Sequence, residues 1–244
     1  MALVRSGAQV VFCATNICLL HAAIEECGAA SGRAVAYGVD LSHCGEAECL
    51  VESARRWFGG VDVLVNNAGQ GPESIRRDYV AFPLRFWEVS DADMRRMFDV
   101  NLFAACALAR LVAPEMISRN WGRIVNVTTR LSSMLLPGIF PYGGTKATLE
   151  ATTAAMAGDL AGTGVTANVL CPGGPSDTAM VPSSMLREKL SPSDCLAAPI
   201  VWLASNSSDG ITGRRFVGNL WDRTKADAEA AGLAGDAIAW TGKV

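Results

Sequence analysis

Apolar runs and amphipathic stretches alternate along this chain. Ala8 to Ala14 (AQVVFCA) is β-branched and apolar, which suits a strand covered on both faces. From Ile17 to Ala30 the apolar residues Leu20, Ile24 and Cys27 recur at helical spacing. Arg33 to Val39 reads as a second strand, and Glu46 to Phe58 as a helix stopped by Gly59-Gly60. Val61 to Val65 is a strand that runs into Asn66-Asn67-Ala68-Gly69. A long helix is predicted over Asp91 to Arg119, with Pro114 expected to bend or break it. Arg123 to Thr129 is a strand, Tyr142 to Ala161 a helix, and Val165 to Leu170 a strand entering Pro172-Gly173-Gly174-Pro175. A helix over Ser193 to Ala204 and a strand over Arg215 to Gly218 end the series, leaving 222–244 as a C-terminal tail.

Strands and helices in strict alternation imply an α/β fold: a doubly wound parallel sheet in a three-layer α/β/α arrangement. Ligands bind such sheets beyond the carboxyl ends of the strands, near the point where strand order reverses. Three motifs fall on that edge: Asn67 to Gly69, Thr129, and Pro172 to Gly174.

Composition narrows the picture. The 244 residues are 50% hydrophobic and contain no Pro/Gly/Ser-rich linker, so a single domain over 1–244 is expected. The net charge of −3 without a basic stripe argues against a nucleic-acid partner. No apolar run reaches the roughly 18 residues of a membrane helix. Met1 to Gly7 lacks the apolar core of a signal peptide. A cytoplasmic protein with no membrane partner is the expectation. The eight cysteines contain no C-x-x-C pair, and the two histidines, His21 and His43, lie at polar positions, so no metal site is expected.

The chemistry concentrates at Tyr142-Gly143-Gly144-Thr145-Lys146. Residues i and i+4 share a helix face. An ammonium beside a phenol favours the phenolate and should lower the tyrosine pKa from about 10, giving an acid/base able to exchange a proton near neutral pH. Alone, the spacing could equally be a solvated helix pair. Thr129 at the end of the preceding strand, Asn101 within Asp99-Val100-Asn101-Leu102, and Asn67-Ala68-Gly69 supply the context.

With these four motifs in this order, the chain resembles the short-chain dehydrogenase/reductase family in its single-domain, Rossmann-like branch, from Ala2 to about Asp222. The resemblance implies an NAD(P)-dependent oxidoreductase that moves hydride between a nicotinamide and a small-molecule carbonyl or alcohol, assembled as a homodimer or homotetramer. It implies that Tyr142 is the acid/base and that Lys146 tunes it and binds the nicotinamide ribose. Thr129, where the family usually has Ser, would bond the substrate oxygen, and Asn101 would hold a relay water. Asp40 and Leu41 match the adenine-contacting pair, although Asp40 reads equally well as a helix N-cap. Asn67, Ala68 and Gly69 would line the adenosine side. Pro172, Gly173 and Thr178 would pack near the nicotinamide, in a loop one residue longer than P-G-x-x-x-T. Cys13-Ala14-Thr15-Asn16 ends the ribose-binding strand without a carboxylate, which favours NADP over NAD, with Thr15 near the phosphate.

Two departures accompany the resemblance. The family's first strand and its T-G-x-x-x-G-x-G turn have no counterpart here, an absence of roughly 20 residues whose strand would be central in the sheet. The expectation is that this chain binds NAD(P)H poorly and is aggregation-prone. The stretch from Gly69 to Asn101 is also about ten residues longer than usual, and its Arg76, Arg77, Tyr79, Phe82, Arg85, Phe86 and Trp87 read as a pocket cap or a subunit contact. Two alternatives stay open at this point: a non-catalytic protein that keeps the fold for binding, and a sugar-nucleotide epimerase, for which the chain is too short to carry a substrate domain.

Overall fold

The computed structural model describes residues 1–178, 180–182, 185, 188 and 190–240. In chain order its main elements are α1 (Ala2–Arg5), β1 (Val10–Ala14), α2 (Ile17–Glu25), β2 (Ala34–Gly38), α3 (Glu46–Phe58) and β3 (Val63–Asn66). There follow α4 (Asp91–Phe98), α5 (Ala104–Ser118), β4 (Gly122–Val127), α6 (Leu131–Met134), α7 (Tyr142–Asp159), β5 (Val165–Cys171), α8 (Ala197–Leu203), β6 (Arg214–Val217), α9 (Asp227–Ala234) and β7 (Gly235–Ala237). The expected α/β architecture is what forms: parallel strands with helices packed on both faces.

Alternation along the strands builds the layers. Ile124 of β4 packs with Leu50 and Val51 of α3 and Leu108, Val112 and Met116 of α5. Its neighbour Val125 points the other way, into a cluster with Trp202 and Leu203 of α8, Phe216 of β6, and Ala230 and Ala234 of α9. β4 and β5 are buried along their whole lengths.

The sheet is split. β1 pairs in parallel with β2 alone, while β3-β4-β5-β6-β7 form a second sheet. Among the described residues, one edge of β1 and one edge of β3 therefore carry no strand partner. This accounts for a difference in burial: every residue of β1 is only partly buried, although its apolar run predicts cover on both faces.

Other expectations are corrected. Residues 222–244 are not a tail as far as they are described: α9 buries Ala230, Ala231 and Ala234, and β7 adds an antiparallel edge strand to β6. Pro114 does not break its helix, which continues to Ser118 with Val112 and Met116 anchored in the core on either side. The interruption lies instead at a π-helical turn, Asp99–Phe103, between α4 and α5. Residues Asp91–Ser118 are long and apolar enough by length and composition to span a bilayer, but half of the most apolar window is buried inside the protein, as in a core helix.

Candidate active site

The carboxyl ends of β3 and β4 meet the N-terminal end of α7, and the chemistry gathers there. α7 begins at Tyr142, so its first turns point Tyr142 and Lys146 toward the strand ends. Gly143 is required at this spot, because a Cβ there would collide with the backbone carbonyl of Met134 in α6.

The Thr129 hydroxyl lies near the Tyr142 phenol and slightly favours its ionised form. Burial, followed by the nearby charge of Glu73, pushes that phenol up to about 12, against the small lowering from Thr129. The lowering expected from Lys146 is absent. Its Nζ turns to the strand end and donates to the Val127 carbonyl at 3.0 Å. Burial, not a charge partner, brings the lysine down to about 8. One hydrogen bond leaves two of three ammonium donors for a ligand.

Asn101 sits on the π-turn, almost fully buried. Its Oδ1 accepts from Gln70 N at 2.7 Å, while Nδ2 donates to Gln70 O at 2.8 Å and to Thr145 Oγ1 at 3.0 Å. Both side-chain donors are therefore spent on protein, so a relay water could meet this residue only at an acceptor, Oδ1 or the backbone carbonyl. Gly69 lies over this pair: a Cβ there would stand 3.2 Å from Asn101 Oδ1 and 3.3 Å from Lys146 Nζ.

The remaining sequence-derived residues rim this centre or lie apart from it. Asn67 and Ala68 are exposed at the end of β3. Thr15 is exposed beside Asn16, whose side chain caps α2 by accepting from Cys18 N and Leu19 N. Asp40 does not cap a helix, since Gly45 holds that position for α3. Its carboxylate accepts from Ser42 and pairs with Arg96 of α4 at 2.9 Å, which holds it well below the usual carboxylate range. Leu41 packs against the core. Gly173 takes φ +93°, and a Cβ there would overlap Asn219, whose side chain donates to the Gly173 carbonyl at 3.2 Å. The Pro172 carbonyl accepts from Asn219 N at 3.0 Å. Thr178 is exposed, and among the described residues its hydroxyl donates to the Ser176 carbonyl.

Sequence reasoning missed Glu73. Among the described residues its Oε2 is buried without a hydrogen-bond partner, and burial raises its carboxyl. Its charge acts on both Tyr142 and Tyr79. A lone carboxylate in an irregular insertion has no periodicity to reveal it.

The short chain dehydrogenase family model matches residues 1–189. The chain belongs to the short chain dehydrogenase family. This short chain dehydrogenase is 34% identical over 179 residues to the ketoacyl reductase HetN of Nostoc sp., covering 73% of its own length and 59% of that protein. It thus spans less than two thirds of HetN. It is 31% identical over 230 residues to an uncharacterized oxidoreductase of Methylorubrum extorquens, covering 87% of this chain and 86% of that one. A metagenomic short-chain oxidoreductase solved in complex with NADP matches with a TM-score of 0.71 at 25% identity, over 88% of this chain and 87% of that one.

Proposed function

We propose that this chain is an NAD(P)-dependent oxidoreductase acting on a small carbonyl or alcohol, with Tyr142, Thr129, Lys146 and Asn101 as its site. The observation that carries the reading is the desolvated Tyr142 phenol beside Thr129, with a buried lysine one helical turn away whose Nζ donates to the Val127 carbonyl at 3.0 Å. A phenol pushed up to about 12 is fully protonated at neutral pH. In that state it donates its proton to a carbonyl oxygen held by the Thr129 hydroxyl. The geometry therefore suits carbonyl reduction, whereas alcohol oxidation needs the phenolate.

The residues present fit the two ends of a dinucleotide. Lys146, with two donors to spare, suits a ribose diol, and the bend at Pro172-Gly173 follows β5 on the same edge of the sheet. Thr15, Asp40, Leu41, Asn67 and Ala68, at the ends of β1, β2 and β3, are the candidates for the other end, and Gly69 stands between them and Lys146. A nicotinamide bound there would supply or accept the hydride. Thr15-Asn16 bears no carboxylate to repel a 2′-phosphate, and the metagenomic relative binds NADP, so NADP is the favoured cofactor. The pyrophosphate between the two ends is less well served: among the described residues no glycine-rich turn lies at the cleft between β1 and β3. This favours a second reading, a protein that keeps the fold without turnover.

The test is NADPH oxidation with ethyl acetoacetate, compared with Tyr142→Phe. Loss of the phenolic proton should lower kcat by about 10²–10⁴ and spare NADPH affinity. The phenol keeps its acid form from pH 6 to 9, so reduction should change over that range only as Lys146, brought down to about 8, loses its proton. A variant keeping more than half its turnover sinks the proposal, and no NADPH binding by the parent chain supports the second reading.

A further inference from the structure

Behind the site lies an ion pair that the functional reading does not use. Tyr142, Lys146 and Glu150 recur at i, i+4 and i+8, so they share one face of α7. Glu150 is fully buried and pairs with Arg215 of β6, also buried, at 3.0 Å. The guanidinium does three things at once. Nε donates to Glu150 Oε1, Nη1 donates to Cys171 Sγ at 2.8 Å, and Nη2 donates to the Thr129 carbonyl. Glu150 in turn accepts from Thr128 Oγ1 at 3.1 Å through Oε2, and from Ala239 N at 3.2 Å through Oε1.

Thr129 is the residue with most to gain from this clamp. The β4–β5 ladder closes with Thr128 N donating to the Leu170 carbonyl, so Thr129 lies beyond the last strand bond. The Arg215 fork fixes its carbonyl, and fixing the carbonyl of a residue constrains where its side chain points. A lysine could not replace the fork, because a single ammonium on a flexible stem cannot match three fixed acceptors.

We propose that Arg215, held in place by Glu150, is a positioning residue that aims the Thr129 hydroxyl at the Tyr142 phenol. The inference rests on the proposed oxidoreductase reading for its catalytic consequence, but not for its structural one. It makes the end of β6 and the segment ending at Ala239 parts of the scaffold of the oxygen-binding site.

The test is a double-mutant cycle between Arg215→Lys and Thr129→Ala, read with NADPH and ethyl acetoacetate, together with the Thr129 methyl resonance in ¹³C-threonine-labelled protein. Arg215→Lys should lower kcat about 10- to 100-fold with NADPH affinity kept, and change kcat less than twofold once Thr129 is Ala. The Thr129 methyl should shift as its side chain loses its single rotamer. Equal losses of kcat in both backgrounds mean that Arg215 is merely structural, and overturn the proposal. So does an unmoved Thr129 methyl in an enzyme whose turnover depends on Tyr142. A shifted methyl in a protein that does not oxidise NADPH upholds the positioning and rejects the oxidoreductase reading instead. Should Arg215→Lys not fold, the charge-neutral double variant Arg215→Met/Glu150→Met leaves no unpaired buried charge and is read by the same two measurements.

Discussion

A buried lysine whose only hydrogen bond is to a carbonyl carries a thermodynamic signature. Burial brings Lys146 down to about 8 in the folded protein, against about 10.4 for an unfolded lysine. Between those values the unfolded chain binds more protons than the native one, so stability rises with pH across that window. From pH 7 to 9.5 the parent should gain about 2 kcal/mol from this group, and Lys146→Met should lose that gain. Urea denaturation of both proteins at the two pH values checks it, and parallel pH dependences would remove the buried ammonium from the account. At this scale the sequence revealed identities but not environments. The Tyr142–Lys146 spacing was readable, yet the direction of the tyrosine shift was not, because it depends on Glu73 and on the depth of the pocket. Arg215 and Glu150 lie 65 residues apart and form one unit only once the sheet is built.

Among the elements, the 70–90 insertion turned out to be anchored. Leu84 is buried and its N–H donates to the Gly138 carbonyl at 3.0 Å. Arg76 ties the insertion to itself through the Phe82 and Pro83 carbonyls and Glu88. Phe86 meets Phe140 edge-on, while Phe82 and Trp87 stay 62% and 70% exposed. The insertion thus leans on the loop preceding Tyr142 and carries Glu73 and Tyr79 toward the phenol. Leu84→Ala should cost about 2–5 kcal/mol locally, raising KM for a carbonyl substrate more than it changes NADPH affinity. Unchanged KM with an altered sedimentation coefficient would make the insertion a subunit contact instead. The helices and strands with periodic patterns were legible. The π-turn was not, since one extra residue inside a long apolar helix leaves its composition unchanged, and it is this turn that presents Asn101.

For the whole molecule, the parallel strands and the two helical layers followed from the sequence, because buried parallel strands read as continuous apolar runs, although the strand order did not. β7 did not, since Gly235-Asp236-Ala237 has no strand signal and pairs only because β6 offers an edge. The split in the sheet should show in hydrogen exchange. The outward N–H groups of β1 and β3 lack ladder partners, whereas β4 is paired on both sides. Amides of β4 and β5 should exchange only on global unfolding, and those of β1 and β2 through cheaper local openings. Uniform protection across all strands would contradict that division. The split also bears on distance. No backbone hydrogen bond between strands spans the seam, and what does span it includes a partly exposed tether from Arg96 to Asp40 and Ser42. Thr15 and Asp40 stand on one bank, Asn67 and Lys146 on the other. The spacing between the two halves of the candidate dinucleotide site is therefore fixed by side chains, the packing of Val11, Cys13, Tyr37 and Leu41 against the shared core among them, where an unbroken sheet would fix it by backbone hydrogen bonds.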